Sequence, residues 1–205
     1  GDNGAVFEKF YVCPVCSPTR AELLTGKYFI RSGVRGVTQG YERMDLGHTL
    51  MSDFFKENKY KTGLFGKWHN GSQPPYHPNT RGFDEFYGFT SGHWGNYYSP
   101  VLERNSKIVR GKGYISDDIT NNAITFMKNS VDPFFTFVSF NTPHSPMQVP
   151  NLYLENTKVI KQGRYKDREN ILKTKAALAM VENLDYNVGR VLDSLKKFKK
   201  YNNTI

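Results

Sequence analysis

The chain has 205 residues, enough for one domain with a sizeable core or for part of a larger one. Its 28 lysines and arginines outnumber its 19 aspartates and glutamates, and the net charge of +9 favours polyanionic partners. We expect neither nucleic acid nor membrane as a partner, because no nucleic-acid-binding motif is present, the lysines at 196–200 are typical of a solvated helix end, and no apolar run approaches ~18 residues.

Apolar spacing along the chain predicts strands that alternate with helices. The predicted strands lie at 5–12, 60–65 and 133–140. The predicted helices lie at 49–58, 116–129 and 168–198, besides a short one that ends at Gly26. This order favours an α/β fold with a mostly parallel sheet sandwiched by helices. The region at about 70–113 has little regular pattern and is predicted to be a long loop that faces the substrate.

The local sequence Cys16-Ser17-Pro18-Thr19-Arg20 is the most informative part of the chain. Ser17 is suited to the N-cap position and Pro18 to the first helical position, so Cys16 is predicted to lie at the positive end of a helix dipole. An anion held there would meet free backbone N–H groups and the side chain of Arg20. Because Cys13 and Cys16 also form a Cys-x-x-Cys pair, a redox or metal site is an alternative interpretation.

Three clusters of reactive residues follow predicted strands directly. Cys16 follows the first strand, Lys67-Trp68-His69 follows the second, and His144 follows the third. In parallel sheets, ligands bind beyond the carboxyl ends of the strands. We therefore expect the side chains of Cys16, Lys67, His69 and His144 to meet at one edge of the sheet.

The motifs around these residues resemble those of type I sulfatases, a family of the alkaline-phosphatase-like superfamily. Residues 16–26 read Cys-x-Pro-x-Arg and then Ala-x-Leu-Leu-Thr-Gly, which is similar to the motif whose cysteine is oxidised to formylglycine. Residues 59–69 are similar to a second motif, Gly-Tyr-x-Thr-x-x-x-Gly-Lys-Trp-His, with Lys59 in place of the leading glycine. Residues 142–146, which read Thr-Pro-His-x-Pro, resemble a third motif of the family. The resemblance implies that residues 1–205 are a segment of the N-terminal catalytic domain.

The resemblance also implies catalytic roles for five residues. Cys16, once converted to formylglycine, would hydrate to a diol that attacks sulfur. Lys67 would bind the sulfate and the diol, and His69 would deprotonate the second hydroxyl of the diol. His144 would bind the sulfate and protonate the leaving alcohol, and Arg20 would add positive charge beside the sulfate.

The implied function is hydrolysis of the sulfate esters of a sulfated carbohydrate, in the periplasm, at the cell surface or in the secreted fraction. Two alternatives remain open. One is a phosphomonoester or phosphonate hydrolase of the same fold. The other is an inactive anion-binding fragment.

Candidate carbohydrate-binding residues lie in the region at about 70–113, since aromatic faces stack on sugar rings and an arginine pairs with a second anionic group. These candidates are Arg81, His93, Trp94, Tyr97 and Tyr98. Packing within a small satellite core would explain the aromatic members equally well.

Members of the family hold a calcium ion, sometimes magnesium, with an aspartate pair before the cysteine motif and an Asp-Asn pair after the long helix. The sequence contains neither pair at those places, so Cys16, as formylglycine, is the only metal ligand that the resemblance supplies here. We expect calcium in the complete enzyme and no tight binding by residues 1–205 alone. The remaining sulfatase polypeptide is accordingly an expected partner of this segment.

Overall fold

Five strands form one mixed sheet in the computed structural model, which describes residues 5–158 and 168–205. The strands are β1 (Lys61–Lys67), β2 (Glu85–Phe89), β3 (Val101–Arg104), β4 (Lys107–Arg110) and β5 (Phe134–Ser139). Their order across the sheet is β4-β3-β2-β1-β5. β1 runs parallel to both of its neighbours, β2 and β5, whereas β3 and β4 continue the sheet beyond β2 as an antiparallel hairpin.

Helices cover both faces of the sheet, which confirms the predicted sandwich. They are α1 (Cys16–Thr25), α2 (Met51–Glu57), α3 (Ile115–Asn129), α4 (Asn151–Asn156) and α5 (Arg168–Lys197). Because side chains alternate along a strand, Leu64 of β1 packs into the apolar cluster with α1, while the next residue, Phe65, packs into the cluster with α3 and α5. No helix in the described ranges has both the length and the apolar character needed to cross a membrane.

The sequence of α3 explains its place in the fold. Ile115, Ile119 and Ala123 recur at four-residue spacing and are fully buried, so they form the stripe that faces the sheet and α5. Asp117 and Asp118 lie in the first turn, where the helix dipole favours negative charge. α3 therefore begins at the carboxyl edge of the parallel strands and runs back to deliver the chain into β5.

The predicted strand at 5–12 is wrong. This segment has no regular structure, and Phe7, Phe10 and Tyr11 are all at least 70% exposed. Alternation of apolar residues favours a strand only where a neighbouring strand supplies backbone partners, and none of the described strands lies beside this segment. Cys16 is consequently positioned by the packing of α1, with no strand of the described chain leading into it.

The region at about 70–113 is more regular than predicted, since it contains β2, β3 and β4. β2 is a short apolar run between glycine-rich and proline-rich stretches, and it becomes a strand because it pairs with β1 over Gly63–Lys67. The parts of the region that are loops in the structure lie between the strands. The loop at 90–100 leaves the carboxyl end of β2, on the same edge as Lys67.

Candidate active site

α1 begins two residues earlier than predicted, so that Cys16 itself, and not Pro18, is the first helical residue. Val15 occupies the N-cap position without a side-chain cap. The Ser17 hydroxyl instead donates to the carbonyl of Glu42, 3.2 Å away, and accepts from the Asn70 side-chain amide at 2.9 Å. Asn70 immediately follows His69, so this contact fixes the start of α1 against the carboxyl end of β1.

Arg20 joins α1 to the ends of two parallel strands. Its Nη1 atom donates to the carbonyl oxygen of Lys67, 2.9 Å away, and to the hydroxyl of Ser139, the last residue of β5. Burial lowers the pKa of Arg20 to about 10, and the nearby Cys16 opposes this shift. The guanidinium therefore remains charged near neutral pH, and its buried Nε atom has no hydrogen-bond partner within the described residues.

Lys67 is the last residue of β1, and its side chain is almost completely buried. Burial and then the charge of Arg20 lower the pKa of Lys67, whereas Cys16 raises it through its charge and through a side-chain hydrogen bond. The ammonium group of Lys67 thus lies beside the Cys16 side chain. Two cations therefore converge on residue 16 at the amino end of a helix, which is the arrangement that an anionic group requires.

His69 lies two residues beyond the end of β1 and is only 4% exposed. Its Nε2 atom is 2.8 Å from the carbonyl oxygen of Val37, and its Nδ1 atom is buried without a partner among the described residues. Burial lowers the pKa of His69 to about 4, although the hydrogen bond to Val37 opposes the shift. The imidazole is consequently neutral near pH 7, with a free lone pair on Nδ1.

His144 follows β5 at the same edge of the sheet but lies outside the cluster that half-buried Cys16 and Arg20 form with buried Lys67 and His69. Its side chain is exposed, and its Nδ1 atom is 2.7 Å from the carbonyl oxygen of Ser145, so that Nε2 is the nitrogen that remains available. The His144 ring stacks on the ring of His93, with centroids 6.0 Å apart and planes inclined by 12°.

Two of the candidate carbohydrate-binding residues are buried and engaged by backbone groups, which corrects the prediction for them. Arg81 lies near the amino end of β2, on the opposite edge of the sheet, where its guanidinium donates to the carbonyls of Asp45 and His48. Tyr97 is fully buried, and its hydroxyl donates to the carbonyl of His144 at 2.8 Å. Tyr97 therefore supports the His144 loop from below and has no face available for a sugar.

The other three candidates are placed differently from one another. Trp94 is half-buried and stacks on Phe89 of β2 at 5.3 Å, which is a packing contact. His93 is exposed beside His144, and Tyr98 is exposed with one edge against Tyr114. His93 and Tyr98 are thus the members of the set whose surfaces are open.

Several residues of the site were not expected from the sequence, and they share one property: each contributes through a contact with a residue distant in the chain. They are Val37, Asn70 and Ser139. A sequence signal exists for Asn70, which directly follows Lys67-Trp68-His69, and for Ser139, which ends the apolar run of β5. No comparable signal marks Val37, because it contributes only a backbone carbonyl.

Residues 5–158 and 168–205 contain no group of three or more histidine, cysteine, aspartate or glutamate side chains that could hold a metal ion. The described residues therefore do not fit the calcium ion that the family implies. Cys13 and Cys16 are both free thiols. Desolvation and the neighbouring Glu22 raise the pKa of Cys13, which reduces the thiolate form that redox chemistry requires.

Comparison with known proteins decides the family. The family model described as "Sulfatase" matches residues 2–205. The chain belongs to the sulfatase family. This family lies in the alkaline-phosphatase-like superfamily, as the motifs predicted, and the match to it does not favour the phosphate or phosphonate alternative.

Curated relatives resemble the sulfatase chain over nearly its whole length. An uncharacterised sulfatase of Escherichia coli, YdeN, is 31% identical over 100% of the chain and 40% of the relative. The N-acetylgalactosamine-6-sulfatase of pig, Sus scrofa, is 29% identical over 98% of the chain and 42% of the relative. The chain thus spans about two fifths of the length of the curated relatives it matches.

A solved structure supports the same conclusion for the fold. The protein Ps i-CgsB, crystallised in complex with k-i-k-neocarrahexaose, is 32% identical and superimposes with a TM-score of 0.76. The superposition covers 91% of the chain and 45% of Ps i-CgsB. The mixed sheet with helices on both faces is therefore part of a larger sulfatase fold.

Proposed function

We propose that the chain carries the part of a sulfatase active site that contains the nucleophile, residue 16. After Cys16 has been oxidised to formylglycine, the complete site would remove sulfate from a sulfated carbohydrate. The observation that carries the proposal is the placement of Cys16 at the first position of α1, beside the buried cations of Lys67 and Arg20. Sulfate esters are anions, and this is the point of the described structure where backbone N–H groups and two cations converge.

Formylglycine at position 16 would supply, as its hydrate, a hydroxyl group able to attack sulfur. Cys16 fits the modification because it is a free thiol and is only partly buried. Lys67 and Arg20 would bind the non-bridging oxygens of the sulfate and stabilise the charge that moves onto oxygen during displacement. No metal-dependent step is part of this proposal.

The two histidines are suited to opposite halves of the proton transfer. His69 is a neutral base, since its Nδ1 lone pair is free and burial keeps its pKa low. Nδ1 of His144 donates to the Ser145 carbonyl, so the imidazolium form of His144 would deliver its second proton, on Nε2, to the leaving alcohol. His69 is buried and His144 is exposed, which matches a base beside the nucleophile and an acid beside the leaving sugar.

The substrate class rests on relatives. The name of the pig relative specifies a sulfated N-acetylgalactosamine, and Ps i-CgsB was crystallised with k-i-k-neocarrahexaose. The net charge of +9 would attract a sulfated polysaccharide. We further propose that the protein acts in the periplasm, at the cell surface or after secretion, which cell fractionation with an antibody against the protein would test.

The proposal is tested with the full-length protein that carries this sequence, coexpressed with an enzyme that oxidises motif cysteines. Sulfate release is measured from a sulfated oligosaccharide and an aryl sulfate, with the matching phosphate esters alongside. Peptide mass spectrometry reports the aldehyde at position 16. We expect Cys16→Ala to abolish sulfate release without changing the melting temperature.

Cys13→Ala is the matched control, because Cys13 is a free thiol three residues away that does not contact the cations of the site. We expect this variant to retain activity. Sulfate release by Cys16→Ala at the wild-type rate would refute the proposed nucleophile. Faster hydrolysis of the phosphate esters would favour the phosphatase alternative.

A further inference from the structure

Asn141 is a buried residue near the site, and its side-chain amide has no hydrogen-bond partner within the described part of the chain. It is 5% exposed, and both its Nδ2 and Oδ1 atoms lack a hydrogen-bond partner among residues 5–158 and 168–205. Burial of an amide without partners is costly, and such groups in folded proteins almost always have one. The amide is therefore expected to bind something that the described residues do not supply.

Asn141 lies on the short segment that joins Ser139, a contact of Arg20, to His144. It lies two residues beyond Ser139, whose hydroxyl accepts from Arg20, and its own carbonyl accepts from the backbone N–H of His144 at 3.1 Å. The neighbouring Thr142 is held by its hydroxyl, 3.2 Å from that of Ser116 in α3. Asn141 is thus fixed on a rigid turn at the carboxyl edge of the sheet.

The neighbouring groups leave the Oδ1 acceptor of the amide unsatisfied. Burial raises the pKa of Tyr97, and a side-chain interaction in which the Asn141 amide donates toward the Tyr97 hydroxyl opposes this rise. The Tyr97 hydroxyl, however, donates to the carbonyls of His144 and Ser145, 2.8 and 3.2 Å away, and no Asn141 atom reaches hydrogen-bonding geometry with it. The amide retains two N–H donors and one carbonyl acceptor.

We propose that Asn141 is a substrate-binding residue that recognises the sugar ring bearing the sulfate. This inference rests on the proposed function. A sulfate group offers only acceptor oxygens, whereas a sugar hydroxyl both donates and accepts, so a sugar hydroxyl beside the sulfate is the part of the substrate that can donate to the Oδ1 atom of Asn141. Asn141 therefore selects sulfated sugars over sulfate esters that carry no hydroxyl, such as simple aryl sulfates.

The test compares Asn141→Ala with wild type in the full-length, matured protein. We expect kcat/KM for a sulfated oligosaccharide to fall about tenfold or more, since a site that binds a hydroxyl loses this much when the bond is removed. For an unsubstituted aryl sulfate we expect less than a threefold change. The melting temperature should stay the same or rise, because the variant removes a buried amide without partners.

Thr136→Val is the matched control. Thr136 lies in the middle of β5, at the register position of Gly63 and three residues before the end of the strand, and its Oγ1 atom is also buried without a partner among the described residues. We expect this variant to leave both kcat/KM values unchanged. A clear fall in melting temperature for Asn141→Ala, with equal losses on both substrates, would overturn the proposal and assign the amide a structural partner elsewhere in the polypeptide.

Binding separates this proposal from the proposed function. Calorimetry with the sulfated oligosaccharide is carried out on Cys16→Ala and on the double variant Cys16→Ala/Asn141→Ala, neither of which turns over substrate. We expect the double variant to bind about tenfold more weakly. Equal affinities, or no measurable binding by either variant, would overturn the role of Asn141, whereas a lack of turnover by the wild-type enzyme would count against the proposed function alone.

Discussion

The Nε2 atom of His69 lies 2.8 Å from the carbonyl oxygen of Val37. Because a carbonyl oxygen can only accept, Nε2 carries the proton of the neutral imidazole, and Nδ1 carries the lone pair. A backbone contact made 32 residues earlier in the chain therefore selects the tautomer of a candidate general base. No side chain is needed at position 37 for this purpose.

The first prediction concerns the pH dependence that follows from this contact. Burial lowers the pKa of His69 to about 4, so the base stays deprotonated as the pH falls and becomes protonated only near that value. In the full-length enzyme, the acidic limb of kcat/KM should therefore fall near pH 4, well below the value of about 6.5 for an ordinary histidine. A profile from pH 3.5 to 9 on an aryl sulfate measures this.

His48→Gln is the control for that profile, because His48 is a partly exposed histidine bonded to Lys27 and to the Arg31 carbonyl, away from the site. We expect it to leave the acidic limb in place, whereas His69→Gln removes most of the activity at every pH. An acidic limb near pH 6.5 in the wild-type enzyme would contradict the assignment of His69 as the buried neutral base.

The second prediction uses a glycine that lies against the same ring. A Cβ atom added at Gly92 would be 2.6 Å from Nε2 of His69, whereas one added at Gly95 would meet nothing within 4 Å. We expect Gly92→Ala to displace the imidazole and to lower kcat by about tenfold to a hundredfold. Gly95→Ala, on the same loop, should keep the wild-type kcat, and equal kcat values for both variants would show that the loop moves aside freely.

The third prediction separates packing from substrate contact in the loop at 90–100. Trp94 stacks on Phe89, so Trp94→Ala should cost about 2 kcal/mol of unfolding free energy, less than a fully buried tryptophan, and lower the melting temperature. Tyr98 is 44% exposed, so Tyr98→Ala should leave the melting temperature nearly unchanged and raise KM for a sulfated oligosaccharide. Thermal unfolding and KM measured on both variants decide between the two roles, and the reverse pattern would contradict them.

The parts of the site that could be predicted from sequence are those encoded by local motifs. The short helix next to Cys16 and the arrival of Lys67, His69 and His144 at one edge follow from short patterns and from the geometry of parallel strands. In the structure, Cys16, Arg20, Lys67 and His69 lie in one cluster, and His144 lies at its rim.

The parts that could not be predicted depend on contacts between distant residues. β2 is a strand because it pairs with β1, some 20 residues away, and the segment at 5–12 is irregular because the described sheet offers it no partner. Arg81 was expected to pair with a second anionic group of the substrate, because it lies in the predicted loop region. It is buried because the carbonyls of Asp45 and His48 satisfy its guanidinium.

The last prediction concerns the junction between α3 and α5, which lies apart from the catalytic cluster. Asp117 accepts hydrogen bonds from the amides of Asn183 and Asn187, 3.0 and 2.8 Å away, and both asparagines are fully buried. Hydrogen bonds to a charged group contribute about 1.5–3 kcal/mol each, so Asp117→Ala should reduce the unfolding free energy of the full-length protein by about 2–4 kcal/mol. Denaturant unfolding measures the loss.

Two variants serve as controls for Asp117→Ala. Asp117→Asn keeps an acceptor oxygen and should lose less unfolding free energy. Asp193→Ala removes an exposed carboxylate 3.5 Å from Lys196 and should change the unfolding free energy by under about 0.5 kcal/mol. Equal stabilities for Asp117→Ala and Asp193→Ala would show that the two buried amides find other partners, and that the two helices are held together by their apolar contacts alone.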